Sequence, residues 1–242
     1  MSRGNAVRRL YVETLIRTDP ETLWARTQEP GEHQRWDLRF TEITYLPKAD
    51  GEPQRFRYAT RLFPSRTPRF LTVAGTGTSA GETRRADGTR VSALRFASPH
   101  PLSLLKEGSG YWRYVPVDGG VRFLTGYDYR PRWGRFGRVA DRWVFRPLMG
   151  WATAWSFDRL RLWCEAGVSP ERARAHWLAE TASRLLVPVA AAVILPPAAA
   201  LLALAAAVLL PPSRLTPAAR RCLRTAPPRT SVPALLDTLE PA

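Results

Sequence analysis

The chain has 242 residues, a length that suits one medium domain with additions. A hydrophobic fraction of 45% and a charged fraction of 24% exclude global disorder. Lys48 and Lys106 are the only lysines among 36 basic residues, and against 21 acids the net charge of +15 favours anionic partners.

Residues 7–17 alternate as a strand, with Leu10, Val12, Thr14 and Ile16 on one face. Glu13 and Arg17 interrupt the apolar character here, so no cleavable signal peptide is expected. Asp19-Pro20-Glu21 then opens a helix through Leu23 and Trp24, and a second helical turn is expected over 30–36. Six further strands follow, at 40–46, 54–62, 69–80, 90–98, 109–115 and 121–130. Asp50-Gly51, Asp87-Gly88 and Asp118-Gly119-Gly120 separate several of them with hairpin chemistry. A helix over about 139–165 closes the unit; Pro147 must begin or kink it, and Gly167 can end it.

Ser169-Pro170-Glu171 opens a further helix over 168–184. It leads into 185–210, 26 residues without a charged or hydrogen-bonding side chain. A bilayer core of ~30 Å needs about 20 helical residues, so this run is expected to be a membrane segment. Pro196 and Pro197 sit near its centre and exclude a straight helix. Two topologies remain open: a kinked single span, or a hairpin with arms 185–195 and 198–210. The tail 211–242 carries Arg214, Arg220, Arg221, Arg224 and Arg229 against Asp237 and Glu240, which keeps it on the cytoplasmic side. Without periodicity, the tail is expected to be mostly disordered or to lie along lipid. The division is thus 1–167, 168–184, 185–210 and 211–242.

One strand, two short helices, six strands and a long helix make an α+β unit. Val12-Glu13-Thr14-Leu15-Ile16 running into Asp19-Pro20-Glu21-Thr22-Leu23-Trp24, then Trp36, Gly110-Tyr111-Trp112 and the 151–163 helix, resemble the START-like (SRPBCC) superfamily. That superfamily includes lipid-transfer domains and aromatic polyketide cyclases. The resemblance implies a curved, seven-stranded antiparallel sheet wrapped around the last helix in a helix-grip fold, enclosing a cavity for an apolar ligand. It does not account for the membrane segment.

Alternation sends the charged residues of each strand outward and Phe56, Tyr58, Phe96, Trp112, Tyr114, Phe123 and Tyr127 inward. Trp151 and Trp155 lie on one stripe of the closing helix with Leu148 and Leu162. These nine rings are the expected lining of one cavity, whose scattered polar spaces would satisfy the Tyr and Trp tips. The partners expected are a lipid or other hydrophobic small molecule and a membrane with anionic lipids. The spread of arginine over every element gives no nucleic-acid module.

No catalytic constellation assembles. His33, His100 and His176 lack metal-ligand spacing, as do Cys164 and Cys222, and no metal or cofactor is expected. His33 and Asp37 are spaced i, i+4 and are expected to be exposed polar residues of a short helix. Gly75-Thr76-Gly77-Thr78-Ser79-Ala80-Gly81 has the wrong spacing for a phosphate loop and is expected to be strand. The leading function is therefore non-catalytic binding of an apolar molecule at a membrane. The alternatives are a cyclase or dehydratase, with Tyr58, Tyr127 or His33 moving the proton, and a membrane-anchored interaction module.

Overall fold

The computed structural model describes residues 9–61, 72–228 and 231–236. Strand β1 (Leu10–Ile16) is followed by helices α1 (Pro20–Gln28) and α2 (Pro30–Trp36). Strands β2 (Glu42–Tyr45), β3 (Arg55–Arg61), β4 (Thr72–Arg84), β5 (Arg90–Ala97), β6 (Leu105–Val117) and β7 (Gly120–Pro131) come next. All pairs are antiparallel, in the order β1-β7-β6-β5-β4-β3-β2. Every expected strand is present within a few residues. Residues 7 and 8 of the first, 62 of the third and 69–71 of the fourth lie outside the described residues. The glycine-rich segment is inside β4, as its spacing required.

Local chemistry sets the boundaries. The Asp19 side chain accepts from the Thr22 amide at 2.8 Å and caps α1, with Pro20 in the first turn. Gly119 turns the β6–β7 hairpin at φ 81°, a conformation that favours glycine. After β7, helix α3 (Gly134–Ala140) passes through a π-helical turn at Asp141–Phe145 into α4 (Arg146–Ala166). Pro147 thus sits at the start of α4, directly after the π-helical turn, where its missing amide interrupts the helical ladder. Gly167 ends α4 at φ 63°.

The face of the sheet carrying Trp112, Tyr114, Val121 and Phe123 grips α4. The Phe123 ring stacks on Phe157 with centroids 4.5 Å apart, and both are fully buried with Trp36 and Leu160. The opposite face holds a smaller cluster of Tyr11, Val91, Ala93, Tyr111 and Leu124, covered by Leu236 from the tail.

Helix α5 (Pro170–Ile194) runs back along α4, since Arg159 bonds the Pro170 carbonyl and Trp155 meets Trp177 with centroids 5.8 Å apart. Of the two topologies open to the apolar run, the chain takes the hairpin. It reverses at Leu195-Pro196, and α6 (Pro197–Leu209) packs against α5. The mouth of the hairpin is closed by Arg184. Its guanidinium donates to the carbonyls of Ala207 (2.6 Å), Leu210 (2.9 Å) and Pro211 (3.0 Å), while pairing with Glu180 at 2.6 Å. Three of these groups lie at a helix end that has no amide left to satisfy its carbonyls.

The tail is not the unstructured segment expected from its composition. Thr216, Ala218, Ala219 and Cys222 are buried. Asp158, whose side chain is fully buried, receives the Ala218 amide at 2.7 Å and Arg221 at 2.9 Å. Leu223 then exchanges two 2.9 Å backbone bonds with Glu13 on β1. The tail therefore caps the free edge of β1, which would otherwise expose a row of unpaired backbone groups.

Candidate functional site

Cross-strand register places seven of the expected ring residues on the gripping face. Tyr45 opposes Phe56 and Phe56 opposes Gly77, which in turn opposes Phe96. Phe96 opposes Gly108, Trp112 opposes Thr125, and Tyr114 opposes Phe123. Tyr127 opposes Gly110. Glycine is the repeated partner for a steric reason. A Cβ on Gly75 would collide with the Tyr58 ring, one on Gly77 with Phe56, and one on Gly108 with Phe96. The rings thus fold flat over the sheet instead of standing upright, and a glycine floor carries an aromatic surface.

The rings divide by burial. Trp112, Tyr114, Phe123 and Tyr127 are buried, the first three within the packed core. Phe56, Tyr58 and Phe96 are half-buried, on the part of the face beyond the reach of α4. Trp155 belongs to the same buried cluster as Trp112, Tyr114 and Phe123, and Trp151 packs against that cluster. Trp151 and Trp155 stack on each other with centroids 6.4 Å apart, and Trp155 packs on Trp177 of α5. Phe157 and Thr153 touch Phe123 and Tyr127 of the sheet, and a step of two residues turns the helix by about 200°. The two tryptophans accordingly brace α4 against α5.

Most polar tips find protein partners, while the buried Trp155 indole nitrogen has none among the described residues. The Tyr114 hydroxyl lies 2.6 Å from that of Thr27 and accepts from Gln28 at 2.8 Å. The Tyr127 hydroxyl lies 2.8 Å from that of Thr153, and the Trp36 indole donates to the Arg26 carbonyl at 2.8 Å. Burial raises the pKa of these phenols and of Tyr58, whose pKa is pushed up to about 12. At neutral pH they are donors, not bases.

Between the rings lies a buried polar cluster that the sequence did not disclose. His33 and Asp37, expected to be exposed, are 9% and 1% accessible. His33 Nε2 is 3.2 Å from Asp37 Oδ2. Arg39 closes on the same carboxylate with its Nε at 2.9 Å from Oδ1 and an Nη2 at 2.6 Å from Oδ2. The guanidinium also lies 5.3 Å from the Tyr127 ring centroid. Around His33 stand Trp112 (4.7 Å), Trp36 (5.0 Å) and Phe40 (5.4 Å), and Phe40 meets Tyr58 at 5.6 Å. A continuous series of rings therefore runs from Phe56 through Tyr58, Phe40 and His33 to Trp112 and Phe123.

Electrostatics assigns the charge states. Burial lowers the His33 pKa and outweighs the raising effect of Asp37, so the imidazole is neutral. Burial would raise the Asp37 pKa, but Arg39 and the bonds from His33 and Arg39 overcome it, holding the carboxylate far below its ordinary range. Asp37 and Arg39 form a closed ion pair, and the cluster is neutral overall. The signal for its burial was Trp36, which shares a helix face with His33 at i, i+3.

A groove of about 490 Å³ lies along β2–β4, lined mainly by Thr44, Arg57, Ala59, Ala74 and Thr76, with Tyr58 and Gly75 also reaching it. Thr44, Arg57, Ala59, Ala74 and Thr76 alternate with the ring-bearing positions, and of the nine expected rings Tyr58 alone lines this groove. Among the described residues, no group of three or more His, Cys, Asp or Glu side chains is placed to hold a metal ion.

The sheet order, the two helices inserted after β1 and the last helix held against the sheet define a helix-grip fold, the architecture that the resemblance implied. The chain is similar to the Uncharacterized membrane protein YndG of Bacillus subtilis (strain 168), with 48% identity over 164 residues. The match covers 67% of this chain and 59% of that protein, so the chain spans about three-fifths of the curated relative's length. No family model matches. Among solved structures, the chain is similar to a STAR-related lipid transfer protein from Xanthomonas axonopodis, with 15% identity and a TM-score of 0.48 over 66% of this chain and 88% of that one. The Zhui aromatase/cyclase from Streptomyces sp. R1128 is similar at 13% identity and a TM-score of 0.40, over 63% of this chain and 95% of that one.

Proposed function

We propose that the chain binds a lipid or other apolar molecule on the gripping face of its sheet, beside a membrane and without chemistry. The observation that carries this reading is the half-buried strip of Phe56, Tyr58, Leu94 and Phe96 on a glycine floor, beyond the reach of α4. Trp112, Tyr114, Phe123 and Tyr127 back this strip, and the neutral His33–Asp37–Arg39 cluster closes one end. Apolar rings beside a few fixed polar groups suit a ligand that is mostly hydrocarbon with one polar end.

The membrane part of the reading rests on exposure. Helix α5 is long and apolar enough to cross a membrane by length and composition, and only 6% of its apolar window is buried. Leu186, Val193, Ile194, Leu202 and Leu209 all face outward from the hairpin. The relative's name as a membrane protein supports the same placement. The uncharged part of α5 begins only at Leu185, so the apolar arms 185–195 and 198–210 reach ~15–20 Å into a ~30 Å hydrocarbon core, and the hairpin enters one leaflet and returns. The domain over 1–167, the helix over 168–184 and the tail over 211–242 then share one side. The arginines of the tail put that side in the cytoplasm, facing anionic headgroups.

Native mass spectrometry and lipid extraction of the full chain, purified from membranes, test the binding. A bound apolar molecule is expected in the wild type and lost on Phe96→Asp, while Leu15→Asp, an exposed position on the other face, retains it. A wild type that is always empty contradicts the proposal.

One observation favours a second reading. His33 is neutral, oriented by Asp37 and enclosed by rings, which is the environment of a general base. A cyclase or dehydratase would use it on a polyketide-like substrate. His33→Gln abolishes turnover in that case and leaves a pure binder's affinity nearly unchanged.

A further inference from the structure

Residues 133–148 carry an exposed apolar surface that neither the gripping face nor the hairpin uses. Phe136 is 71% accessible and Trp143 is 70%, and Val139, Val144 and Leu148 are also exposed. Phe136, Val139 and Trp143 recur at i, i+3 and i+7, and Arg135, Arg138 and Arg142 repeat the same spacing one position earlier. One strip of this helical run is thus apolar and the adjoining strip cationic.

The charge is one-sided. Asp141 is the only acid between Tyr129 and Phe157, and it is buried, bonded to the Tyr129 hydroxyl and to Arg146 at 3.1 Å. Arg135, Arg138 and Arg142 form no ion pair among the described residues, and Arg142 lies 5.4 Å from the Trp143 ring centroid. Aromatic rings beside unpaired guanidinium groups are the composition of a helix lying in the headgroup layer.

The position of this surface agrees with its composition. Helices α4 and α5 run antiparallel, with Trp155 level with Trp177. Arg184 is seven residues further along α5, and Leu148 is seven residues back along α4. Each step is ~10 Å, so the mouth of the apolar hairpin lies near the level of the first turn of α4. The 133–148 surface and the point where the hairpin leaves the domain therefore occupy the same end of the molecule.

We propose that residues 133–148 lie on the bilayer surface as a second membrane contact, with Phe136, Val139 and Trp143 in the acyl boundary and Arg135, Arg138 and Arg142 on anionic headgroups. Two separated contacts fix the tilt of the domain, which one hairpin alone leaves free. The occupant is lipid rather than a second copy or a protein partner, because the surface lies at the end of the molecule where the hairpin's own exposed apolar side begins. This inference needs the hairpin's membrane seat but not the ligand reading.

The full chain, with Cys164→Ala and Cys222→Ala, is reconstituted into vesicles of phosphatidylcholine and phosphatidylglycerol. An environment-sensitive fluorophore is placed at Trp143→Cys, and separately at Asp118→Cys in the β6–β7 turn, at the far end of β7. Doxyl-labelled lipid is expected to quench the probe at 143 severalfold more than the probe at 118, and Arg135→Gln/Arg138→Gln/Arg142→Gln should reduce that difference. A probe at 143 no more quenched than the one at 118 overturns the proposal, and this is also the outcome if a protein surface covers the patch. Loss of bound apolar molecule leaves this readout unchanged, so the two proposals fail separately.

Discussion

Asp37 concentrates the most energy of any single side chain near the site. Its carboxylate has no exposure, and three side-chain bonds from Arg39 and His33 compensate its burial. Removing one partner leaves the other charge buried and unpaired, which costs about 3–5 kcal/mol. Asp37→Asn is expected to lose stability on that scale in urea unfolding followed by tryptophan fluorescence. A loss below about 1 kcal/mol would mean that water already screens the pair. His33 adds a pH dependence. Its pKa is lowered on folding, so below its unfolded value of ~6.5 the unfolded chain binds a proton that the folded chain refuses. Its contribution is fully present above that value and is lost as pH falls from about 7 towards the folded pKa. His33→Gln should flatten this part of the stability–pH curve, and an unchanged slope would show that His33 is not its source. The ring positions on the strands were legible in the sequence because alternation has period two. The burial of His33 was not, because an i, i+4 polar pair reads as a solvated face unless the neighbouring Trp36 is given more weight.

Among the elements, strands and turns followed directly from alternation and from Asp-Gly pairs, while α4 did not disclose its orientation. Its surroundings explain the failure. The sheet covers one side and α5 with the tail covers the other, so large side chains occur all round it. Periodicity cannot rank two apolar faces, and it gave no sign that Trp155, stacked on Trp151, also meets Trp177 of α5. The tail was missed for a related reason. It binds through single anchors, Arg221 on Asp158 and Leu223 on Glu13, and has no repeating pattern. The hairpin arms depend on Arg184 in a testable way. Arg184→Ala leaves the carbonyls of Ala207, Leu210 and Pro211 without this donor, and should open the chain near Arg214 to limited trypsin cleavage severalfold faster than wild type. Arg172→Ala, exposed in the first turn of α5, should not. Equal cleavage of the two variants would indicate that packing of α5 on α6 holds the mouth closed by itself.

At the scale of the whole molecule, a helix-grip domain is joined to an apolar hairpin whose return strap becomes part of the domain again. The strap explains how a 26-residue apolar run can serve as an anchor without separating the tail from the sheet. A single span would carry residues 213–223 to the far side of the bilayer and strip β1 of its edge partner. The resemblance foresaw the sheet and its last helix but had nothing to say of this arrangement, which depends on contacts between residues far apart in sequence. Cysteine labelling on sealed vesicles tests it most directly, using the full chain with Cys164→Ala and Cys222→Ala and one new cysteine at a time. Asp118→Cys on the domain and Ala226→Cys on the tail are expected to react together with a membrane-impermeant maleimide from one side, and Ala198→Cys at the hairpin tip from neither. Reaction of positions 118 and 226 from opposite sides would contradict the account.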